Sequence, residues 1–354
     1  MSTEAIQEAR RQIEICNACR YCEGYCSVFP AINRRRAFPD IDIVQMSNLC
    51  HNCRGCYYAC QYTEPHEFKI NIPVVLAEIR QEAWQRYATP SALAGVFQKS
   101  GVAVAVGAVV GLALIIWAIR ALGAEGGSGF YAILSHTAMV MVFTPAFVLP
   151  LLTVVMSVRH YISDNALHAP EGKDWIAAIR HAATLRDLSG GHGDGCNFED
   201  EDRFSNARRV HHQLTFYGFM LCFAATSVAT VMHYALDMPA PYPLWSLPKL
   251  LGLSGGLILS TGTAGLALLK LKSDRHLADA SVFGGEMAFV LLLFVVSTSG
   301  LLLYWMGDTQ WLDELLALHL GAVLSFFILT PYTKMVHGLY RLAALAIDAR
   351  DQRT

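Results

Sequence analysis

The chain has 354 residues, of which 54% are hydrophobic and only 16% charged, and its mean hydropathy is positive, a balance too apolar for an ordinary soluble domain. A formal net charge of −2 gives no basis for nucleic-acid binding. What remains is a mainly α-helical membrane protein with its polar residues sorted by region.

Residues 1–95 are polar and cysteine-rich. The opening "MSTEAIQEARRQIEIC" reads as a polar helical lead-in rather than a signal peptide, which suits a reducing compartment. "CNACRYCEGYC" then sets cysteines at Cys16, Cys19, Cys22 and Cys26, and "CHNCRGCYYAC" repeats the rhythm at Cys50, Cys53, Cys56 and Cys60. Three thiols in steps of three can wrap an iron–sulfur cubane, because a short turn brings their sulfurs onto one concave surface. In the two-cluster C-x2-C-x2-C-x3-C pattern, the fourth cysteine of each run ligates the other cluster. The spacing therefore assigns Cys16, Cys19, Cys22 and Cys60 to one 4Fe-4S centre, and Cys50, Cys53, Cys56 and Cys26 to a second, in a ferredoxin-like domain. A disulfide framework conflicts with the reducing compartment, and zinc asks for separated pairs rather than evenly stepped thiols. Between the runs, Arg34, Arg35 and Arg36 either offset cluster charge, attract an acidic partner, or form a solvated face.

Residues 96–354 alternate apolar runs of spanning length with short connectors. Six membrane helices are expected: Val96–Ile119, Ile133–Val158, Leu214–Tyr234, Leu247–Leu269, Glu286–Met306 and Leu315–Leu339. The connector 159–213 is the one long polar link, with "SGGHGDGCNFEDED" near its centre. Eight cysteines already satisfy two clusters, so His192 and Cys196 in this loop read as a mobile connector or docking surface, and Cys222 as a packing residue. Of 27 Lys and Arg residues, all but Arg120 and Lys249 fall on the side of the termini and the long connector. The positive-inside rule then places both termini and the cluster domain in the cytoplasm; a multi-pass protein of a bacterial inner membrane is expected.

Thirteen histidines are many for so apolar a chain, and an ionisable side chain within a span is costly unless it has a use. His160, His211, His212 and His337 fall at the cytoplasmic level, and His136, His233 and His319 at the outer level. In the last expected span, His319 and His337 are 18 residues apart, five turns, which puts both on one face about 27 Å apart. In the antiparallel third span, His212 and His233 are separated by about 31 Å and about 60° of rotation. Two bis-imidazole sites for b-type haem follow: His212 with His337 on the inner level, and His319 with His233 on the outer. His136 competes for the outer role, His211 and His160 for the inner. The plain alternative for each is an interfacial anchor, and Pro145, Pro150 and Pro331 can kink their helices.

The double cysteine run, "SGGHGDGC", "RRVHHQLTFYGFMLCFAATSVAT" and "HLGAVLSFFILTPYTKMVHGLYR" together resemble the tricarballylate and citrate utilisation protein B family (TcuB/CitB) over nearly the whole chain. The "H…PYTKMVH" helix also resembles the haem-binding gamma subunit of respiratory nitrate reductase, although position 222 is Cys where a second intrahelical histidine would be expected. The resemblance implies a partner, a TcuA-like flavoprotein dehydrogenase that oxidises tricarballylate or a related tricarboxylate. Electrons would pass from its flavin through two 4Fe-4S clusters and one or two b haems to quinone. The chain shows no Rossmann or P-loop fingerprint and no catalytic triad, so no substrate chemistry of its own is expected. Two other classes stay open: a quinone-linked subunit of a heterodisulfide-reductase-like complex, and a non-enzymatic membrane redox sensor.

Overall fold

The computed structural model describes residues 3–122, 133–166, 168–190, 193–198, 202–274, 277 and 280–353. Five helices come first: α1 (Thr3–Cys19), α2 (Val28–Asn33), α3 (Asp40–Leu49), α4 (Gly55–Tyr58) and α5 (Ile72–Tyr87). Local chemistry sets their ends. Asn71 caps α5 by accepting the Val74 N–H at 3.3 Å, and Pro73 lies in the first turn, where a missing N–H costs nothing.

Two long helices follow, α6 (Ser91–Ala121) and α7 (His136–Asn165), and then a short helix in the polar connector, α8 (Gly172–Thr184). Glu171 and Asp174 start α8 with a reciprocal capping box. A hairpin of β1 (Cys196–Asn197) and β2 (Phe204–Ser205) leads into α9 (Ala207–Ala235), α10 (Leu247–Leu271), α11 (Ala280–Met306) and α12 (Leu312–Leu329). Among the described residues, six helical stretches are long and apolar enough to cross a membrane. They carry outward-facing Leu114, Met141, Leu149, Leu257 and Leu268, as hydrocarbon contact requires and water would penalise. The chain has the architecture of a multi-pass membrane protein.

The bundle depends on small residues. A Cβ on Gly218 would stand 2.5 Å from the Leu259 amide, and one on Gly262 would stand 2.5 Å from the Thr215 amide, so α9 and α10 approach backbone to backbone. Gly101 of α6 meets Gly285 of α11 in the same way.

The last expected span, Leu315–Leu339, is not one helix. Pro331 has no N–H to continue the ladder, and the chain tightens into a 3-10 turn at Thr330–Tyr332. Thr333 is extended, and a separate helix, α13 (Val336–Arg353), begins beyond it. His319 and His337 therefore lie on different helices, and the five-turn, one-face relation expected for them does not hold.

Helix α13 turns back into the cysteine-rich region. Tyr340, Ala343, Leu345 and Ile347 share one buried core with Ile13 of α1, Ile43 of α3, Leu76 of α5 and Tyr161 of α7. Gln45 donates to the Ala344 carbonyl at 2.8 Å. Arg34 pairs with Asp348, and Arg35 with Asp42 at 3.0 Å and Asp351 at 3.2 Å, so these two arginines tie the domain to α13; Arg36 is exposed. The chain's first and last helices consequently lie on the same side of the bundle.

Candidate redox centres

Cys16 and Cys19 occupy the last turn of α1, Cys22 and Cys26 the turns before α2, Cys50 the end of α3, Cys53 a loop, Cys56 helix α4 and Cys60 the turn after it. Arg20, Asn52 and Arg54 adopt left-handed φ angles of 56°, 55° and 66°, bends that let each run curl around its sulfurs. All ten cysteines are free of disulfides.

The thiols gather across the two runs. Burial and then the neighbouring Cys22, Cys60 and Cys19 push the Cys16 thiol up to about 12, and burial with Cys60 and Cys19 does the same to Cys22. Cys60 is likewise raised by burial and by Cys19. In the second group, burial, Asp187, Cys53 and Cys50 raise Cys26, and burial with Cys53, Cys50 and Cys26 raises Cys56. Cys60 thus stands with the first run and Cys26 with the second.

Cys26, Cys50, Cys53 and Cys56 line one hollow of about 370 Å³, counting its space toward solvent. Among the described residues, no three His, Cys, Asp or Glu side chains converge closely enough to hold a single metal ion. A cubane asks for a different arrangement, since it fills the space between sulfurs that stand well apart. The donor chemistry fits one. The amide two residues after the cysteine donates to sulfur at Cys50 (from Asn52, 3.3 Å) and Cys60 (from Tyr62, 3.4 Å), and the Val28 and Gly55 amides serve Cys26 and Cys53. Such donors favour thiolate over thiol.

Several contributors to the second group carry no signal in the cysteine spacing. Arg80 of α5 donates to the Cys50 carbonyl at 2.7 Å, and Arg341 of α13 to the Leu49 carbonyl and to Asp187 at 2.7 Å. Burial alone would push the Asp187 carboxyl up, but bonds from His181 and Ser27 and the Arg341 charge hold it below its usual range. Cys196 is also part of this group and not a mobile connector: it is buried, packs with Leu185 and Leu188 against Cys53, and its hydrogen bond holds the Cys53 thiol down to about 6. Gly195, at φ 103°, makes this possible, because a Cβ there would lie 2.2 Å from the Ser205 carbonyl. His192 lies outside the described residues.

The histidines divide differently from expectation. His212 of α9 and His337 of α13 meet, with ring centroids 6.0 Å apart and planes at 83°. Two metal–imidazole bonds of about 2 Å, plus the ring radii, span about that distance. The His337 Nδ1–H donates to the Lys334 carbonyl, which leaves Nε2 as the free ligand atom. His211 faces the other way: its ring covers Gly265 of α10, where a Cβ would be 2.1 Å from Nδ1. His160 is exposed. At the outer level, His136 and His233 stack on each other, 4.5 Å between centroids and 22° between planes, too close to face one another across an iron. His319 bonds Ser299 of α11 through Nδ1 at 3.0 Å, and no ring contact joins it to His233. The expected outer pair is not assembled.

The structure also brings forward His51, which the spacing argument passed over. It is half-buried, lines the hollow with the second group of cysteines, and is held well below its usual range by burial, Arg341, His212 and His337. Its only sequence signal was its place inside the second cysteine run.

Comparison with known proteins covers the entire arrangement. The model of the "Citrate utilization protein B Fer4-like domain" matches residues 9–94, and that of "Citrate utilization protein B" matches residues 88–354. Citrate utilization protein B of Escherichia coli is 42% identical over 358 residues, covering 99% of this chain and 94% of the relative. No solved structure matches the chain. With both cysteine runs inside the Fer4-like segment and the membrane histidines inside the second, the chain belongs to the citrate utilization protein B family.

Proposed function

We propose that the protein is a membrane electron-transfer subunit for citrate or a related tricarboxylate, carrying electrons from a flavoprotein dehydrogenase to quinone through two 4Fe-4S clusters and a b-type haem. The observation that supports this reading is that His51, which lines one hollow with Cys26, Cys50, Cys53 and Cys56, has His212 and His337 as neighbours, while Cys22 of the other run neighbours Cys56. The clusters and haem, when bound, supply one-electron carriers that no side chain can replace. Cys16, Cys19, Cys22 and Cys60 would hold one cluster, and Cys26, Cys50, Cys53 and Cys56 the other. His212 and His337 would hold the haem.

The residues around these ligands have definite roles. Backbone amides at Asn52 and Tyr62 and the guanidinium of Arg80 beside Cys50 offset negative charge that would otherwise be buried without a partner. Lys334 orients His337 through its carbonyl. The stacked His136–His233 pair and His319 offer no facing pair, so one haem is proposed rather than two. On this reading, the Lys and Arg distribution places the cluster side in the cytoplasm, where the flavoprotein docks.

The test is a visible spectrum with iron, acid-labile sulfide and haem assays on the purified full-length protein. Two clusters and one haem per chain are expected, with a reduced-minus-oxidised b-type band that a reduced flavoprotein partner builds up and a quinone analogue drains. A preparation with clusters but no haem band would sink the haem assignment. One that NADH reduces without a partner would sink the flavoprotein route.

A further inference from the structure

Segment 49–52 is gripped from two sides. Arg341, one helical turn beyond His337 on α13, donates to the Leu49 carbonyl. Arg208, one turn before His212 on α9, donates to the Asn52 carbonyl at 2.7 Å. Residues four apart on a helix share a face, so the two helix faces that present the inner histidines also clamp the backbone on either side of His51. His51 in turn lines the hollow shared by Cys26, Cys50, Cys53 and Cys56. The first quartet has different surroundings: Cys19 is exposed, and the adjacent Tyr21 is 68% exposed.

From this geometry we infer that His51 joins the second quartet to the His212–His337 pair, so that electrons leave through Cys26, Cys50, Cys53 and Cys56 and arrive through Cys16, Cys19, Cys22 and Cys60. The inference rests on the electron-transfer reading above and gives it an order. Each transfer would remove one electron from the cluster held by the second quartet and add one to a haem iron held by His212 and His337. The second cluster would be refilled from the first, which would take its electron from the partner's reduced flavin, with quinone as the final oxidant. His51 neither binds iron nor gains or loses a proton. It is a positioning residue that fills the space between two centres, where an unpacked gap or a water would weaken electronic coupling.

Two measurements on full-length protein test the order. First, the His51→Leu and His51→Gln variants should retain both cluster signals in electron paramagnetic resonance and the b-type band, while haem reduction after cluster reduction slows by an order of magnitude. Haem reduction at the wild-type rate in a variant with all centres present would overturn the role of His51. Second, oxidised haem should speed the spin relaxation of the cluster nearest it, and that signal should be the one lost in Cys53→Ser. If it is the one lost in Cys19→Ser, the order is reversed and the inference fails, whatever His51 does to folding. Wild-type protein lacking cluster or haem signals would instead defeat the underlying reading.

Discussion

The thiol of Cys53 is held down to about 6, first by the hydrogen bond from Cys196, while burial pushes Cys16 and Cys22 up to about 12. The thiolate is the nucleophile, so a thiol held below its usual range ionises more readily than one pushed above it. In full-length protein stripped of metal by a chelator, iodoacetamide should label Cys53 well before Cys16 or Cys22, and Cys196→Ala should slow that labelling. Peptide mass spectrometry reads the order, and equal rates at the three cysteines would contradict it. With clusters loaded, the grouping of thiols makes a separate prediction. Cys60→Ala should remove the same cluster signal as Cys19→Ala, and leave the one lost in Cys53→Ala. A match between Cys60→Ala and Cys53→Ala would mean that each run binds its own cluster.

Helices α9 and α10 meet through glycine, and this contact sets where His212 stands. Gly262 lies against Thr215 and the His211 carbonyl, and Gly265 against the His211 ring, so any side chain there must push α9 away. Overpacking of this kind costs about 1–3 kcal/mol, and here the displacement carries the inner histidine with it. Gly262→Leu should therefore lower the thermal midpoint and weaken the b-type band. Gly107→Leu makes the control, because a Cβ at that position meets nothing within 4 Å and should leave both unchanged. Equal losses in the two variants would show that the effect belongs to membrane insertion rather than to this contact. The break at Pro331 acts at the same scale: it divides one apolar run into α12, which stays with the bundle, and α13, which leaves it.

Across the whole molecule, the cysteine-rich N-terminal domain and α13 share one core. Leu345 and Ile347 are among the α13 side chains buried with α1, α3 and α5, and burial of each contributes about 1.5–3 kcal/mol to a net stability that is typically about 5–15 kcal/mol. Arg341 adds a buried pair with Asp187, and losing one partner of such a pair typically costs about 3–5 kcal/mol. A fragment of residues 1–95 expressed alone should thus fail to fold or hold clusters, even with iron and sulfide supplied. A soluble fragment showing cluster absorbance would refute this. The shared core also holds α1 and α13 on one side of the helical bundle.

The sequence by itself determined the family, through motifs spread along its length, and the helical membrane architecture, because an apolar run of spanning length has few other stable states. The even stepping of the cysteines also limited how sulfurs from one run can be presented, since local turns decide that. Neighbours from distant segments were another matter. That His212 rather than His211 meets His337, that His233 stacks on His136 while His319 turns to Ser299, and that Cys196 and His51 border the second quartet are results of helix packing, settled by glycine contacts and by arginine bonds to distant carbonyls. A wheel projection failed for His319 and His337 for a related reason. It assumes an unbroken helix, and the turn at Pro331 is held in place by α13 docking into a core whose other members come from α1, α2, α3, α5, α7 and α8, far from it in the chain.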